Sequence, residues 1–170
     1  MKQMRRLTGE MLLYCFAVVL ATGAYLAWFR PDGGTVVYDG PYEPLRGVEL
    51  SSAYAAALDT GLATPGGLAI RHLHHSSSML LAAGVAVWVL LGLFRYVPAL
   101  LAAGPAALAV VTGERAGDVE GHVPHLAAAL ALGAALAFSV RRESARTARA
   151  PAYVLLVAAL AVSVILWQGW

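Results

Sequence analysis

Residues 71–94, RHLHHSSSMLLAAGVAVWVLLGLF, decide the fold because they join a polar, histidine-rich start to a long apolar run. The first eight residues contain one arginine, three histidines and three serines, and the sixteen that follow contain no charged residue. A helix of this length rises about 36 Å, which is enough to cross a hydrocarbon core of about 30 Å. The stretch therefore predicts a membrane-spanning helix with its polar end at one surface.

The whole chain has the composition of a membrane protein. Of its 170 residues, 59% are hydrophobic and 13% are charged, against about 25% charged residues in soluble domains. We predict a single membrane domain, an all-α polytopic bundle with five spans. The five apolar segments are residues 11–29, 71–94, 97–112, 124–140 and 151–170. The third is the weakest, because it has 16 residues and contains Pro98 and Pro105.

The charged residues of the links predict the orientation, since basic residues are enriched in cytoplasmic links. They dominate residues 1–10 and the link RRESARTAR, residues 141–149, whereas acidic residues dominate residues 30–70 and the link GERAGDVEG, residues 113–121. Five spans put both basic segments in the cytoplasm, with the N-terminus inside and the C-terminus outside. We expect a multi-pass plasma-membrane protein. Its first apolar segment is longer than the h-region of about 7–15 residues in a signal peptide, so we expect it to be retained.

The long external link, residues 30–70, has local structure of its own. PYEPLRG, residues 41–47, contains two prolines and a glycine and is typical of turns. Ser51 or Ser52 can cap a short helix that runs through the alanines behind it. We expect this helix to lie near the outer surface.

Histidines are the candidate ligands of this chain. Its only cysteine, Cys15, lies within an apolar segment, where we expect it to pack against lipid or another helix. One cysteine gives no disulfide framework, no paired zinc ligands and no Cys-x-x-Cys-His motif. Under the five-span topology all five histidines lie at the outer ends of two spans, where ionisable residues are functional candidates. They are His72, His74, His75, His122 and His125.

Three interpretations remain open from these residues alone. His74 begins the second span and His125 begins the fourth, and histidines from two facing helices can hold a b-type haem as axial ligands. Arg71 lies one turn outside His74, where a guanidinium can pair with a haem propionate. The histidines can instead be polar residues of the membrane rim. A third interpretation is another metal site, in which His122 and His125 join a histidine of the second span.

Three motifs carry a resemblance to a known family. They are GEMLLYCFAVVLATGAYLAWFRPD (residues 9–32), VVYDGPYEPLRGVELSSAYAAALD (residues 36–59) and GGLAIRHLHHSSSM (residues 66–79). From about Gly9 to about Leu81 the chain resembles the N-terminal, haem-binding part of the cytochrome b subunit of actinobacterial quinol:cytochrome c reductases. The resemblance implies a four-helix core, here with one extra helix. It also gives Gly9 and Gly23, fourteen residues apart, the role of letting haem faces approach the backbone. The chain departs from the family pattern from Gly92 onward.

The same resemblance implies one haem b near the outer face. His74 matches the outer axial ligand of the second helix, and Arg71 matches the arginine at a propionate. His125 is the implied second ligand, with His122 as its substitute. The inner ligands of the family fall fourteen residues after the outer ones, on Trp88 and Ser139. An indole nitrogen is only a donor and cannot bind iron, so we expect at most one haem.

The expected function is that of a cytochrome b-like membrane protein in a respiratory electron-transfer chain. No Pro-Glu-Trp-Tyr motif of the quinol-oxidation site occurs, so we expect no complete reductase and assign no catalytic residue. The partners implied are the lipid membrane, subunits of a cytochrome bc-type complex and an external redox protein; a quinone stays open and nucleic acid is not expected. The alternative is a haem-free accessory or assembly subunit of such a complex. A membrane enzyme built on histidine and a metal is the third hypothesis.

Overall fold

Helices make up most of the computed structural model, which describes residues 2–29, 33–113, 119–144 and 151–168. The six helices are α1 Lys2–Trp28, α2 Ser52–Leu62, α3 Gly67–Leu91, α4 Val97–Gly113, α5 Val119–Ser144 and α6 Pro151–Gln168. A short 3-10 helix, Glu43–Leu45, and two strands, β1 Thr35–Val37 and β2 Glu49–Ser51, lie between α1 and α2. The prediction of an all-α polytopic membrane bundle is confirmed.

Three helices of the described residues are long and apolar enough to cross a membrane. They are Met4–Trp28, Gly67–Leu91 and Gly121–Arg142. Residues Val97–Gly113 of α4 and Tyr153–Ser163 of α6 form shorter apolar helices. The chain is therefore a multi-pass membrane protein, while the count of five spans and the orientation stay predictions. Residues 114–118 and 145–150, which belong to two predicted links, lie outside the described residues.

Four helices form the core of the bundle. Contacts within the described residues run from α1 to α3, from α3 to α4, from α4 to α5 and from α5 back to α1, so α3 and α5 stand on the diagonal. The fifth long helix, α6, packs outside this ring against α1 and α3. This is the four-helix core with one extra helix that the resemblance implied.

Glycines let the core helices approach each other closely. A Cβ atom added to Gly84 on α3 would lie 2.6 Å from Cδ2 of Leu12 on α1. One added to Gly133 on α5 would lie 2.7 Å from two ring atoms of Phe16 on α1. Lipid chains are as apolar as leucine, so membrane helices associate largely through such close packing.

The external link folds into a small unit above α3. Ser51 Oγ accepts a hydrogen bond from the Tyr54 amide at 3.3 Å and caps α2, which confirms the predicted helix start. Strands β1 and β2 pair antiparallel, with Thr35 opposite Ser51. This hairpin was not predicted, because a three-residue strand is too short for an alternating pattern to show. Tyr38 is the only buried hydrophobic side chain of the hairpin, residues 35–51. Helix α2 contacts α3.

The second span differs from its predicted bounds at both ends. Helix α3 begins at Gly67, four residues before the predicted start, because Gly66 takes the left-handed φ of +76° and begins the helix there. It ends at Leu91, three residues before the predicted end. The following turn has two non-glycine residues with positive φ, Leu93 at 49° and Phe94 at 55°. A turn of this kind leaves no simple sequence signal.

We predict that Gly133→Ala destabilises the bundle. The added Cβ would overlap the Phe16 ring, and overpacking of this kind costs about 1–3 kcal/mol. The matched control is Gly104→Ala on α4, where nothing lies within 4 Å of the added atom. Alanine favours helix over glycine by about 1 kcal/mol, so the control should keep or raise the melting temperature. Thermal unfolding in detergent measures both variants, and equal melting temperatures would contradict the prediction.

We predict that the external link and the basic link lie on opposite sides of the membrane. In a Cys15→Ala background, Asp39→Cys and Arg142→Cys place single thiols at exposed positions. A membrane-impermeant maleimide should label Asp39→Cys in intact cells and Arg142→Cys only after permeabilisation. Labelling of Arg142→Cys in intact cells would refute the five-span orientation.

Candidate functional site

His74 on α3 contacts α1 through one ring nitrogen. Its Nδ1 atom lies 3.0 Å from the hydroxyl oxygen of Thr22. That hydroxyl has the Val18 carbonyl at 2.8 Å and the Val19 carbonyl at 3.1 Å as further acceptors for its one hydrogen. With the hydrogen on a carbonyl, the Thr22 oxygen accepts from His74, and this arrangement puts the imidazole proton on Nδ1. The lone pair of the neutral imidazole is then on Nε2.

His125 on α5 has the same arrangement with a different partner. Its Nδ1 lies 3.0 Å from the carbonyl oxygen of Ala109 on α4, with the Thr112 hydroxyl 3.5 Å away. A carbonyl oxygen only accepts, so Nδ1 donates and the lone pair is again on Nε2. Metal-binding histidines usually donate their other ring N–H to a carbonyl or similar group.

Gly23 on α1 lies directly against the His74 ring. A Cβ atom added there would be 3.0 Å from Cε1 of His74. Any side chain at this position would force the ring to move, so the close approach requires glycine. The sequence predicted that a haem face approaches this glycine, whereas in the structure the imidazole itself does so.

The other predicted outer residues lie around this pair. Arg71, His72 and His75 are exposed, with Arg71 one turn before His74. His122 is half-buried one turn before His125. Within the described ranges, no three His, Cys, Asp or Glu side chains are grouped so as to hold a metal ion. The interpretation of a three-histidine metal site therefore gains no support.

A buried hydroxyl lies one turn inward of His74. Ser77 is 1% exposed, and its Oγ has no hydrogen-bond partner in the described part of the chain. An unpaired buried hydroxyl costs about 1–3 kcal/mol, which a polar ligand or a water between the helices would offset. Cys15 is buried beside it and donates to the Ser77 carbonyl at 3.6 Å, so this cysteine packs against a helix.

The inner level of the bundle is filled by Trp88. This residue is fully buried, and its indole N–H donates to the Arg5 carbonyl at 2.8 Å. Its ring covers Gly9, where an added Cβ would lie 2.9 Å from Cζ2. The second inner position, Ser139, is also buried, with its Oγ 3.0 Å from the Tyr96 hydroxyl. Gly9 is thus a close-approach glycine for an indole, and no haem ligand is present at either inner position.

The two levels follow from the antiparallel register of α1 and α3. Gly23 faces His74 at the outer level and Gly9 faces Trp88 at the inner level. Gly9 and Gly23 on α1 are fourteen residues apart, as are His74 and Trp88 on α3. This spacing corresponds to about 21 Å along a helix. His125 and Ser139 repeat the spacing on α5. The outer level thus carries two imidazoles and a glycine, whereas the inner level carries an indole, a hydroxyl and a glycine.

A separate apolar pocket lies between α1, α3 and α6. Its volume is about 130 Å³, well below the roughly 300 Å³ of small ligand sites, so it is too small for a haem. Its lining residues are Thr8, Met11, Leu12, Cys15, Leu80, Gly84 and Ala161.

Sequence reasoning missed the residues that orient the two histidines. Thr22 belongs to no ligand motif, and Ala109 contributes a backbone carbonyl that no motif can reveal. The sequence signal that could have found Thr22 is its position next to Gly23. Both residues contact the His74 ring. Tyr96 and Arg5 were also missed, because their contacts join segments far apart in the sequence.

The chain was compared with known proteins. No protein-family model matches it. It is 48% identical to the cytochrome bc1 complex cytochrome b subunit of Mycobacterium tuberculosis over 82 residues, 48% of this chain and 15% of the relative. The corresponding subunit of Corynebacterium efficiens is 43% identical over 82 residues, and that of Streptomyces coelicolor 42% over 80 residues. These stretches cover 48% and 46% of this chain, and 15% of each relative.

The predicted resemblance is therefore confirmed over about half of the chain, although the matched stretch is a small part of each relative. About half of this chain is homologous to the cytochrome b subunit of actinobacterial cytochrome bc1 complexes.

Proposed function

We propose that the chain is a cytochrome b-like membrane protein of a respiratory electron-transfer chain that binds one b-type haem near the outer face. The observation that carries the proposal is the matched pair of histidines on diagonal helices. His125 donates through Nδ1 to a carbonyl and His74 places its Nδ1 against the Thr22 oxygen, so each can present Nε2 for a ligand bond. The homology to cytochrome b subunits supports haem b as the ligand.

Each residue of the outer level has a defined part in this proposal. His74 and His125 are the axial ligands, and Thr22 orients His74. Gly23 leaves room for the His74 ring against the α1 backbone. Arg71, exposed one turn outside, can reach a propionate. When bound between two imidazoles, a haem serves as a one-electron carrier whose potential is set by its ligands and burial.

The partners follow from the relatives and from the position of the site. The relatives are subunits of cytochrome bc1 complexes, so we propose that this chain associates with a cytochrome bc-type complex. A haem near the outer surface would exchange electrons with that complex or with an external redox protein. We assign no catalytic residue, because electron transfer through the outer level needs only ligation and placement.

A haem-free accessory subunit is the second candidate function, and one observation favours it. The external link keeps a folded hairpin and a capped helix that haem chemistry does not require. In this case the link is the surface that contacts other subunits.

We predict that the purified protein shows a b-type band in its reduced-minus-oxidised spectrum, with about one haem per chain. His74→Ala and His125→Ala should each abolish the band, because each removes an axial ligand. His72→Ala is the matched control, since His72 is exposed two residues from His74 and should keep its haem. A wild-type protein without the band would favour the haem-free candidate. Loss of haem in His72→Ala would overturn the ligand assignment.

We predict that Thr22→Val weakens haem binding by about tenfold or more, the range seen when a hydrogen-bond partner of a metal-binding histidine is lost. Valine has a similar volume but cannot accept from Nδ1 of His74. Ser163→Ala, an exposed hydroxyl on α6, is the control and should leave affinity unchanged. Titration of the haem-free protein with haem measures the dissociation constants. Equal values for Thr22→Val and the wild type would show that Thr22 does not orient His74.

A further inference from the structure

Four side chains from three helices and one turn meet at the inner end of the bundle. We name them the inner lock: Arg5 on α1, Trp88 on α3, Tyr96 in the α3–α4 turn and Ser139 on α5. The Trp88 ring meets the Tyr96 ring edge-on, with centroids 5.5 Å apart. The Arg5 guanidinium lies 4.0 Å from the centroid of the Tyr96 ring. The lock therefore connects α1, α3 and α5.

Two hydrogen bonds fix the orientation of the lock. The Trp88 indole donates to the Arg5 carbonyl at 2.8 Å, which ties α3 to the inner end of α1. The Tyr96 hydroxyl and Ser139 Oγ are 3.0 Å apart, which ties the turn to α5. Aromatic pairs and cation–π contacts each contribute beyond the area they bury. The lock thus combines packing, hydrogen bonding and electrostatics at one level.

A strained turn precedes Tyr96 in the chain. Leu93 and Phe94 both have positive φ, a conformation that side chains other than glycine adopt only at a cost. The Tyr96 carbonyl accepts from the Ala99 and Leu100 amides at 3.0 and 3.2 Å, so Tyr96 is the residue immediately before α4. Such strain persists where the surrounding contacts over-determine it. The contacts of Tyr96 with Trp88 and Ser139 supply that constraint.

We propose that the inner lock replaces the inner haem as the packing centre of the cytoplasmic half of the bundle. The residues at this level do not fit a haem, because an indole and a hydroxyl stand at the two ligand positions and both are engaged. The indole also fills the space beside Gly9. The inner half therefore folds without a cofactor, and two restored histidines do not convert it to a haem site. This proposal is independent of whether the outer level holds a haem.

The first experiment introduces both histidines together, as Trp88→His with Ser139→His. We expect the haem content per chain, measured as the pyridine haemochrome, to equal that of the wild type, together with a lower melting temperature. Tyr96 and Arg5 still occupy the inner level in this variant. A gain of one haem per chain over the wild type would overturn the proposal. The comparison holds whether the wild type binds one haem or none.

The second experiment tests the lock through stability in haem-free protein. Trp88→Ala should lower the melting temperature by about 6 °C or more, as expected for loss of a large buried aromatic side chain. Val87→Ala is the control, because Val87 is 49% exposed on the same helix, and its effect should be small. Equal shifts for Trp88→Ala and Val87→Ala would overturn the proposal.

A double-mutant cycle tests the link between the turn and α5. Tyr96→Phe and Ser139→Ala remove the two hydroxyls without large changes in volume. We expect the double variant to melt close to the less stable of the two single variants, because both remove the same hydrogen bond. Purely additive shifts would show that the hydroxyls do not act as a pair and would overturn this part of the lock.

Discussion

The close antiparallel contact of α1 and α3 is the constraint on which the rest of the bundle depends. Gly9 and Gly23 are the two positions where α1 has no side chain to hold its partner away. At each of them a flat ring from α3 lies against the backbone: an indole at one level and an imidazole at the other. A shift of either helix by a few residues would place a ring against a side chain. The register is therefore set by two ring-on-glycine contacts, and the remaining helices pack around it.

The same geometry gives two chemically different levels because the two rings differ. Imidazole has a nitrogen lone pair to spare once its other nitrogen donates to Thr22. Indole has only a donor, which Trp88 directs to the Arg5 carbonyl. The outer ring is thus suited to binding a ligand, whereas the inner one is suited to closing the bundle. On α5, His125 and Ser139 repeat this division at matching heights.

The sequence predicted much of this layout, because the fourteen-residue spacing converts directly into height along a helix. The membrane class and the capped external helix came from local patterns, whereas the missing inner histidines came from the resemblance to the cytochrome b family. The hairpin was not predicted because its strands are too short to show an alternating pattern of apolar and polar residues. The roles of Tyr96 and Arg5 could not be predicted from the sequence, because they depend on the turn at Leu93 and Phe94. Both residues have positive φ there, which their residue types do not indicate. The carbonyl of Ala109 is a backbone group, so only the tertiary structure can assign it to His125.

The inner lock has a consequence for the membrane potential. Moving one charge across the whole membrane exchanges about 2.3 kcal/mol per 100 mV. A redox group confined to the level of His74 and His125, with aromatic packing in place of a relay at the level of Trp88, would take up and release its electron on the same side. The electron would then cross only a small fraction of the voltage. Electron exchange at this site would be nearly independent of the energised state of the membrane and would not contribute to charging it.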